Sequence, residues 1–169
     1  DGRSPSWGYT DSPLVDGDKL ICAPVSATAA LLALNKDTGK EIWKAPAGLV
    51  GGGAGYSSPI KATVNGVPMY VLLTGDKAGG MGVHADTGKL LWRYTGKAAT
   101  GSVAQIPIPI VYKDLVWVSC SYSGGSALLQ LSGDDKQGFT VKEIKTYKKP
   151  ELNNHHGGMV LVGGYVYFG

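Results

Sequence analysis

The chain is a succession of short apolar runs separated by turns. Runs at 19–25, 31–35 and 41–45 are followed by runs at 69–74, 81–84 and 90–94, and then by runs at 106–111, 115–121, 126–131 and 140–147. Gly, Asp, Asn and Pro punctuate them at intervals of about ten residues, a spacing that predicts the short strands of an all-β protein. Asp16-Gly17-Asp18, Asn65-Gly66, Tyr112-Lys113-Asp114 and Gly163-Gly164 read as hairpin turns. No segment of about ten residues carries the 3.6-residue period of an amphipathic helix, so almost no helix is expected. Residues 1–8 are irregular, with Trp7 their one large apolar group.

The pattern repeats. Ala33-Leu34-Asn35-Lys36-Asp37-Thr38-Gly39-Lys40-Glu41-Ile42-Trp43 returns, altered, as Gly82-Val83-His84-Ala85-Asp86-Thr87-Gly88-Lys89-Leu90-Leu91-Trp92, 49 residues on. Both copies read as strand, Asp-Thr-Gly corner, strand, with Gly at the left-handed position of the turn. A third hairpin, with a loop at 132–138, is longer, and its last strand has no Trp, so the third copy has lost the motif. Pro13, Pro59 and Pro109 mark the first strand of successive units at spacings of 46 and 50 residues, and Met159 holds the matching place 50 residues further on. Pro has no N–H to give a ladder, so it belongs at a strand's beginning or edge. Four short antiparallel strands repeated every 45–50 residues or so form the signature of a β-propeller blade. Blades are expected at about 9–45, 55–94 and 104–147, with the start of a fourth at 156–169, so that residues 1–169 form a partial propeller.

Ala33, Asn35, Thr38, Gly39, Glu41 and Trp43 resemble the tryptophan-docking motif, Ala-x-Asp-x-x-Thr-Gly-x-x-x-Trp, of PQQ-like repeat β-propellers, the quinoprotein alcohol dehydrogenase-like family. The second copy keeps Thr87, Gly88 and Trp92 but has Gly82, His84 and Leu90 where the family favours Ala, Asp and Glu. Asn154-His155-His156-Gly157-Gly158 is similar to propellers of this family in planctomycete-type bacteria. The resemblance implies that an indole packs between its own blade's Ala and the peptide plane of the next blade's Gly. Here that places Trp43 between Ala33 and Gly88, with Gly39 and Trp92 in the same structural role. Propellers close with roughly four to eight blades. About three and a half blades are therefore expected to be an arc of a seven- or eight-bladed ring by family analogy, completed by the remaining blades of a larger chain or by a second copy. The family includes PQQ-dependent dehydrogenases and non-catalytic assembly lipoproteins of the outer membrane, so the fold alone does not decide activity.

Composition agrees with this fold: 26 of 169 residues are Gly and only 17% are charged, while 43% are hydrophobic. A net charge of +3 is too small to imply nucleic acid, and the cluster Lys142, Lys145, Lys148 and Lys149 reads as a solvated face. No apolar run of about 18 residues occurs, so no transmembrane helix is expected. The chain starts at Asp1 without Met or a signal peptide, and a removed upstream segment is expected. Cys22 and Cys120, the two cysteines, have neither metal nor redox spacing and read as buried free thiols.

The candidate chemistry lies in the loops that lead into first strands, which in a propeller surround one mouth of the central funnel. These loops carry Tyr9, Tyr56, Ser57, Gln105, His155 and His156. Tyr, Ser, Gln and His around a funnel suit a polar ligand. Adjacent histidines on an extended segment point to opposite sides, so at most one is expected to face the funnel. His84 is expected to cap its turn. The Gly51-Gly52-Gly53-Ala54-Gly55 run lacks the Lys and the helix of a phosphate loop and reads as a connector. Asp134-Asp135 lacks the spacing of a calcium loop, and no metal site is predicted. Catalytic members of the family hold PQQ with adjacent cysteines, a Trp and calcium ligands, a set not present in this sequence. The leading expectation is a non-catalytic binding or scaffold module of an exported bacterial protein, periplasmic or extracellular, with a protein or carbohydrate ligand and no cofactor. The competing one is a fragment of a PQQ-dependent quinoprotein dehydrogenase acting on alcohols or sugars, using PQQ and calcium.

Overall fold

The computed structural model describes residues 7–24, 26, 28–46, 56–75, 78–100, 105–122, 124–149, 151–152 and 154–169. Three antiparallel sheets of four strands follow one another along the chain, and a two-stranded hairpin follows them. Blade 1 comprises β1 (Leu14–Asp16), β2 (Lys19–Cys22), β3 (Leu31–Asn35) and β4 (Glu41–Ala45), and blade 2 comprises β5 (Ile60–Val64), β6 (Val67–Leu73), β7 (Gly80–His84) and β8 (Leu90–Tyr94). Blade 3 comprises β9 (Ile110–Tyr112), β10 (Leu115–Cys120), β11 (Gly125–Asp134) and β12 (Gly138–Tyr147), and the hairpin is β13 (Val160–Val162) with β14 (Tyr165–Tyr167). Each full sheet is paired in chain order, first strand to fourth. The chain thus builds about three and a half blades of a propeller.

The first strands begin at Leu14, Ile60, Ile110 and Val160, each the residue after Pro13, Pro59, Pro109 or Met159. Pro107 and Pro109 explain why β9 is shorter than the apolar run at 106–111: neither can donate to a ladder. The 19–25 run likewise pairs only as far as Cys22. One short helix occurs among the described residues, α1 (Lys97–Thr100), tucked under blade 3 by Ala98 and Ala99. The glycine run 51–55 lies outside the described residues.

Blade 2 shows how the alternation of a strand becomes a propeller. Its strand β6 is almost continuously buried, and its successive side chains go to opposite neighbours. Val67, Met69, Val71 and Leu73 join a core with Val116, Val118, Leu129 and Leu131 of blade 3. Tyr70 and Leu72, on the other face, join Ile21, Leu31 and Ala33 of blade 1. A half-exposed sheet would need polar residues on one of these faces; none of these six residues is polar except Tyr70, whose hydroxyl has a partner.

That partner is part of the polar rim of the seam between blades 1 and 2. The Tyr70 hydroxyl donates to Asp16 Oδ2 at 2.6 Å, and Lys61 Nζ lies 2.7 Å from the same oxygen. Lys19 Nζ reaches Asp86 Oδ1 at 2.7 Å. The next seam repeats the device with different residues: the Tyr94 hydroxyl donates to Glu143 Oε1 at 2.5 Å, and Lys89 Nζ sits 3.1 Å from Asp135 Oδ1. Burial, with the facing carboxylates, holds the hydroxyl pKa values of Tyr70 and Tyr94 well above the ordinary phenol range.

In the apolar part of the first seam Trp43 is 7% exposed and pairs in register with Ala33. Its indole covers Gly88 so closely that a Cβ there would lie 2.8 Å from Trp43 Cε3. Gly39 holds the equivalent turn position of blade 1, with φ +70° against +71° at Gly88, and has open space around it. The two corners also differ in their caps. Asn35 Oδ1 accepts from the N–H groups of Asp37 and Thr38, whereas His84 Nδ1 accepts from that of Asp86 at 3.1 Å, the capping role expected of it.

The third corner departs from expectation. Pairing continues through Ser132 and Asp134 opposite Thr140 and Gly138, so the loop expected at 132–138 is mostly ladder. Asp134 Oδ1 still accepts from the N–H groups of Lys136 and Gln137, both at 2.8 Å, as Asn35 does in blade 1. The turn half of the motif has therefore survived, and the tryptophan half has not: Lys142 stands four residues after Gly138, where Trp43 and Trp92 follow their glycines. The register break has also moved, from beside the corner at Ala33/Leu34 and Gly82/Val83 to mid-strand at Leu128/Leu129. Gly138, like Gly39 and unlike Gly88, has open space around it. Trp92, which is buried, turns its indole N–H to Met69 Sδ at 3.3 Å and packs in the core shared with blade 3.

Trp43→Ala should lower unfolding stability by about 3–5 kcal/mol in urea titrations. Gly39→Ala and Gly88→Ala share the left-handed backbone cost of about 1–2 kcal/mol, but only the second displaces the indole. A larger loss for Gly88→Ala than for Gly39→Ala is expected, and equal losses would show that the ring contact contributes nothing. The seam also sets a pH dependence. Hydrogen bonds from Lys61 and Tyr70 lower the Asp16 pKa below its ordinary 3.8, so their stabilisation is fully present above that value and is lost as pH falls through the depressed pKa. Raised above 10.0, the Tyr70 pKa makes its share complete below pH 10.0 and lost under strong alkali. Urea midpoints of Asp16→Asn should therefore fall less steeply below pH 3.8 than those of the parent protein.

Candidate functional site

The segments leading into first strands are tied to one another in blade order. Thr10 Oγ1 donates to the Tyr56 carbonyl at 3.4 Å and the Ser12 N–H to Ser58 Oγ at 2.9 Å. One blade further, the Tyr56 N–H donates to the Gln105 carbonyl at 3.1 Å and Ser57 Oγ to the Pro107 carbonyl at 3.2 Å. These bonds align the segments side by side, and they consume part of the residue set expected to bind. Ser57 and Gln105 are buried and hold the segments together; neither lines the cavity described next. Tyr9 lies elsewhere, at a shallower hollow with Asp11 and Cys22.

Tyr56, His155 and His156 do come together. They wall a cavity of about 480 Å³ with Trp7, Thr10, Ile106 and Tyr122. The walls thus come from all four blades or the segments leading into them. Trp7 and Tyr56 meet edge to face with centroids 5.9 Å apart, and Tyr122 meets His155 edge to face at 4.8 Å. The rings of His155 and His156 stack at 3.9 Å with an interplanar angle of 15°. The opposite orientation expected for adjacent histidines does not occur, because residues 155 and 156 form a bend and not an extended strand. Partial burial, then the neighbouring imidazole, lowers the His155 pKa from its ordinary 6.5.

Asn154 shapes this bend. It is fully buried, and its Nδ2 donates to the Gly157 carbonyl at 3.1 Å. A Cβ on Gly157 would lie 2.7 Å from the Gly169 carbonyl oxygen, so the turn passes too close to the chain to carry a side chain there. The sequence reading missed Asn154 as a positioning residue, and missed Tyr122 altogether. Tyr122 follows β10 in the turn toward Gly124, with φ +55°, a left-handed conformation that a bulky residue rarely adopts. Tyr122 stands between the runs at 115–121 and 126–131, and nothing in that position marks its ring as part of the cavity.

Two other hollows border blade 3. An apolar gap of about 670 Å³ separates it from the β13–β14 hairpin, between Trp117, Leu128, Leu161 and Phe168. A second, of about 540 Å³, lies beside Lys97, Lys148, Lys149 and Glu143. The lysines of β12 and its end stay exposed, the solvated face expected of them.

The fit to PQQ with calcium is poor. Cys22 is half-buried in blade 1 and Cys120 is buried in blade 3, both as free thiols, so no adjacent pair covers a quinone face. The aromatic cavity has no carboxylate among its described lining residues, and no group of three His, Cys, Asp or Glu that could hold a metal ion occurs among the described residues.

Sequence comparison matches residues 2–169 to the family described as outer membrane protein assembly factor BamB. No curated protein matches the chain. Among solved structures, BamB from Moraxella catarrhalis superposes with a TM-score of 0.57 at 16% identity, over 95% of this chain and 43% of that one. The likeness is one of fold, and this chain spans less than half the length of that relative.

Removing the Asn154 side chain should loosen the bend without unfolding the blades. Asn154→Ala is expected to cost about 1 kcal/mol of global stability and to speed amide exchange selectively at residues 155–158. Uniform exchange changes across the blades would contradict the local role.

Proposed function

This chain belongs to the family of the outer membrane protein assembly factor BamB, and we propose that it is a non-catalytic binding or scaffold module that works in the bacterial envelope, in the periplasm or outside the cell. The observation that carries the reading is the nature of the surface at the funnel mouth. Rings contributed by separate blades surround an open cavity, held in place by hydrogen bonds between neighbouring segments. Such a surface recognises by shape and stacking.

A second surface supports partner binding. The β13–β14 hairpin exposes Val160, Val162, Tyr165 and Tyr167, with Tyr165 at 71%. A cluster of exposed large apolar side chains is a mark of an interaction face. Further blades of a larger chain or a second copy would cover it as each blade here covers the next. No helix among the described residues is long and apolar enough to cross a membrane.

Photo-crosslinking tests the proposal. With a photoreactive residue at Tyr165 or Tyr112, the protein in its native cells should yield discrete adducts with envelope proteins or with further propeller blades. The alternative dehydrogenase reading is tested on purified protein by adding PQQ and calcium. An unchanged quinone spectrum and no dye reduction with alcohols or sugars are expected, and a shifted spectrum with dye reduction would overturn the non-catalytic reading.

A further inference from the structure

The geometry points to the aromatic cavity at the funnel mouth as a binding site for a neutral saccharide, one or two sugar rings in size. This rests on the binding-module reading above and names the ligand class of its central site. The first ground is charge. No Asp, Glu, Lys or Arg is among the described residues that line the cavity, and the lowered pKa of His155 keeps its imidazole neutral at physiological pH. An ion would find no carboxylate, ammonium or guanidinium group among these residues, and a neutral ligand needs none.

The second ground is the pairing of apolar walls with polar tips. Trp7, Tyr56 and Tyr122 supply ring faces and edges, and Ile106 adds an aliphatic surface. Among the described residues the contacts of Tyr122, His155 and His156 are ring contacts, which leaves a phenol hydroxyl and the imidazole nitrogens to donate and accept hydrogen bonds. Thr10 adds a hydroxyl beside Tyr56. A sugar ring has this same double character, with C–H faces that stack on aromatic rings and hydroxyl edges that need partners. A peptide in extended form would instead use a free strand edge or groove for its backbone, and the backbone of Tyr56 at this wall is already bonded to Gln105.

The third ground is strain. Tyr122 keeps its ring in the cavity at the cost of φ +55°, and bulky residues held in the left-handed region cluster at ligand sites. The volume, about 480 Å³, lies within the range of small-ligand pockets.

The test titrates the protein with cellobiose, maltose and N,N′-diacetylchitobiose, followed by calorimetry and by tryptophan fluorescence. Trp7 is 66% exposed and lines the cavity, whereas Trp43 and Trp92 are buried and the half-buried Trp117 lies at the gap beside the β13–β14 hairpin, so a ligand in the cavity should shift the emission of Trp7 and of no other tryptophan. At least one saccharide should bind saturably. Tyr122→Gly removes the ring and relaxes the backbone, so it should fold at least as well as the parent and bind about tenfold more weakly or worse, in line with the loss of one stacking contact. Trp7→Phe should keep binding by calorimetry and lose the emission shift, and Trp7→Ala should lose both. Failure of all three saccharides to saturate, or affinity unchanged in Tyr122→Gly and Trp7→Ala, overturns the proposal. Saturation by tetramethylammonium or a polyproline peptide in place of the saccharides overturns the ligand class and leaves the binding module standing. Crosslinking at Tyr165 reports on that module independently of this cavity.

Discussion

The structure depends on burying both faces of a four-stranded sheet. Blade 2 meets the requirement by alternation: Met69, Val71 and Leu73 point to blade 3 while Tyr70 and Leu72 point to blade 1. A strand with one wet face could not carry this run, and an isolated blade would leave it exposed. Each blade is therefore stable only in the company of its neighbours, as in other repeat architectures. The corners, the ion pairs and the buried indole all act on that one contact, sheet face against sheet face.

The seams solve one problem with different residues. Between blades 1 and 2, Trp43 lies on the bare backbone of Gly88, and Tyr70 and Lys61 converge on Asp16 at the rim. Between blades 2 and 3 the indole of Trp92 turns to Met69 instead, and Tyr94 meets Glu143. Beyond blade 3 the tryptophan position is Lys142, and Trp117 lies against Phe168 with centroids 6.2 Å apart. What recurs is a large ring in the seam and a tyrosine or lysine satisfied at its edge. The residues that supply them do not. Because the seams carry the stability, the ends of the blades can present rings such as Trp7 and Tyr122 to solvent, while Tyr56, Ser57 and Gln105 stay packed between the segments.

The candidate site was legible only in part, for reasons specific to each residue. Tyr56 and the two histidines line one cavity, and the loops that carry them follow from the repeat. Ser57 and Gln105 occupy the same loops but are buried away from the cavity: Ser57 Oγ donates to the Pro107 carbonyl and the Gln105 carbonyl accepts from the Tyr56 N–H, pairings between blades that sequence position does not reveal. The stacked pair His155–His156 escaped because the rule of opposite faces assumes extended backbone, and Asn154 imposes a bend. Asp134 preserves a corner whose tryptophan is gone, a half-motif that a search for the whole one passes over.

The amino-acid sequence by itself determined the unit: strands beginning after Pro13, Pro59 and Pro109, corners at Gly39 and Gly88, and a repeat near 50 residues. These are local properties, written in turn chemistry and in the two-residue alternation, and they need no knowledge of distant contacts. Only the tertiary structure decided that Trp7, Tyr56, Tyr122 and His155 share one cavity. They stand in separate blades with no fixed spacing between them. They meet because sheets packed face to face fan about a common axis, and that fan brings the segments at the same end of successive blades together.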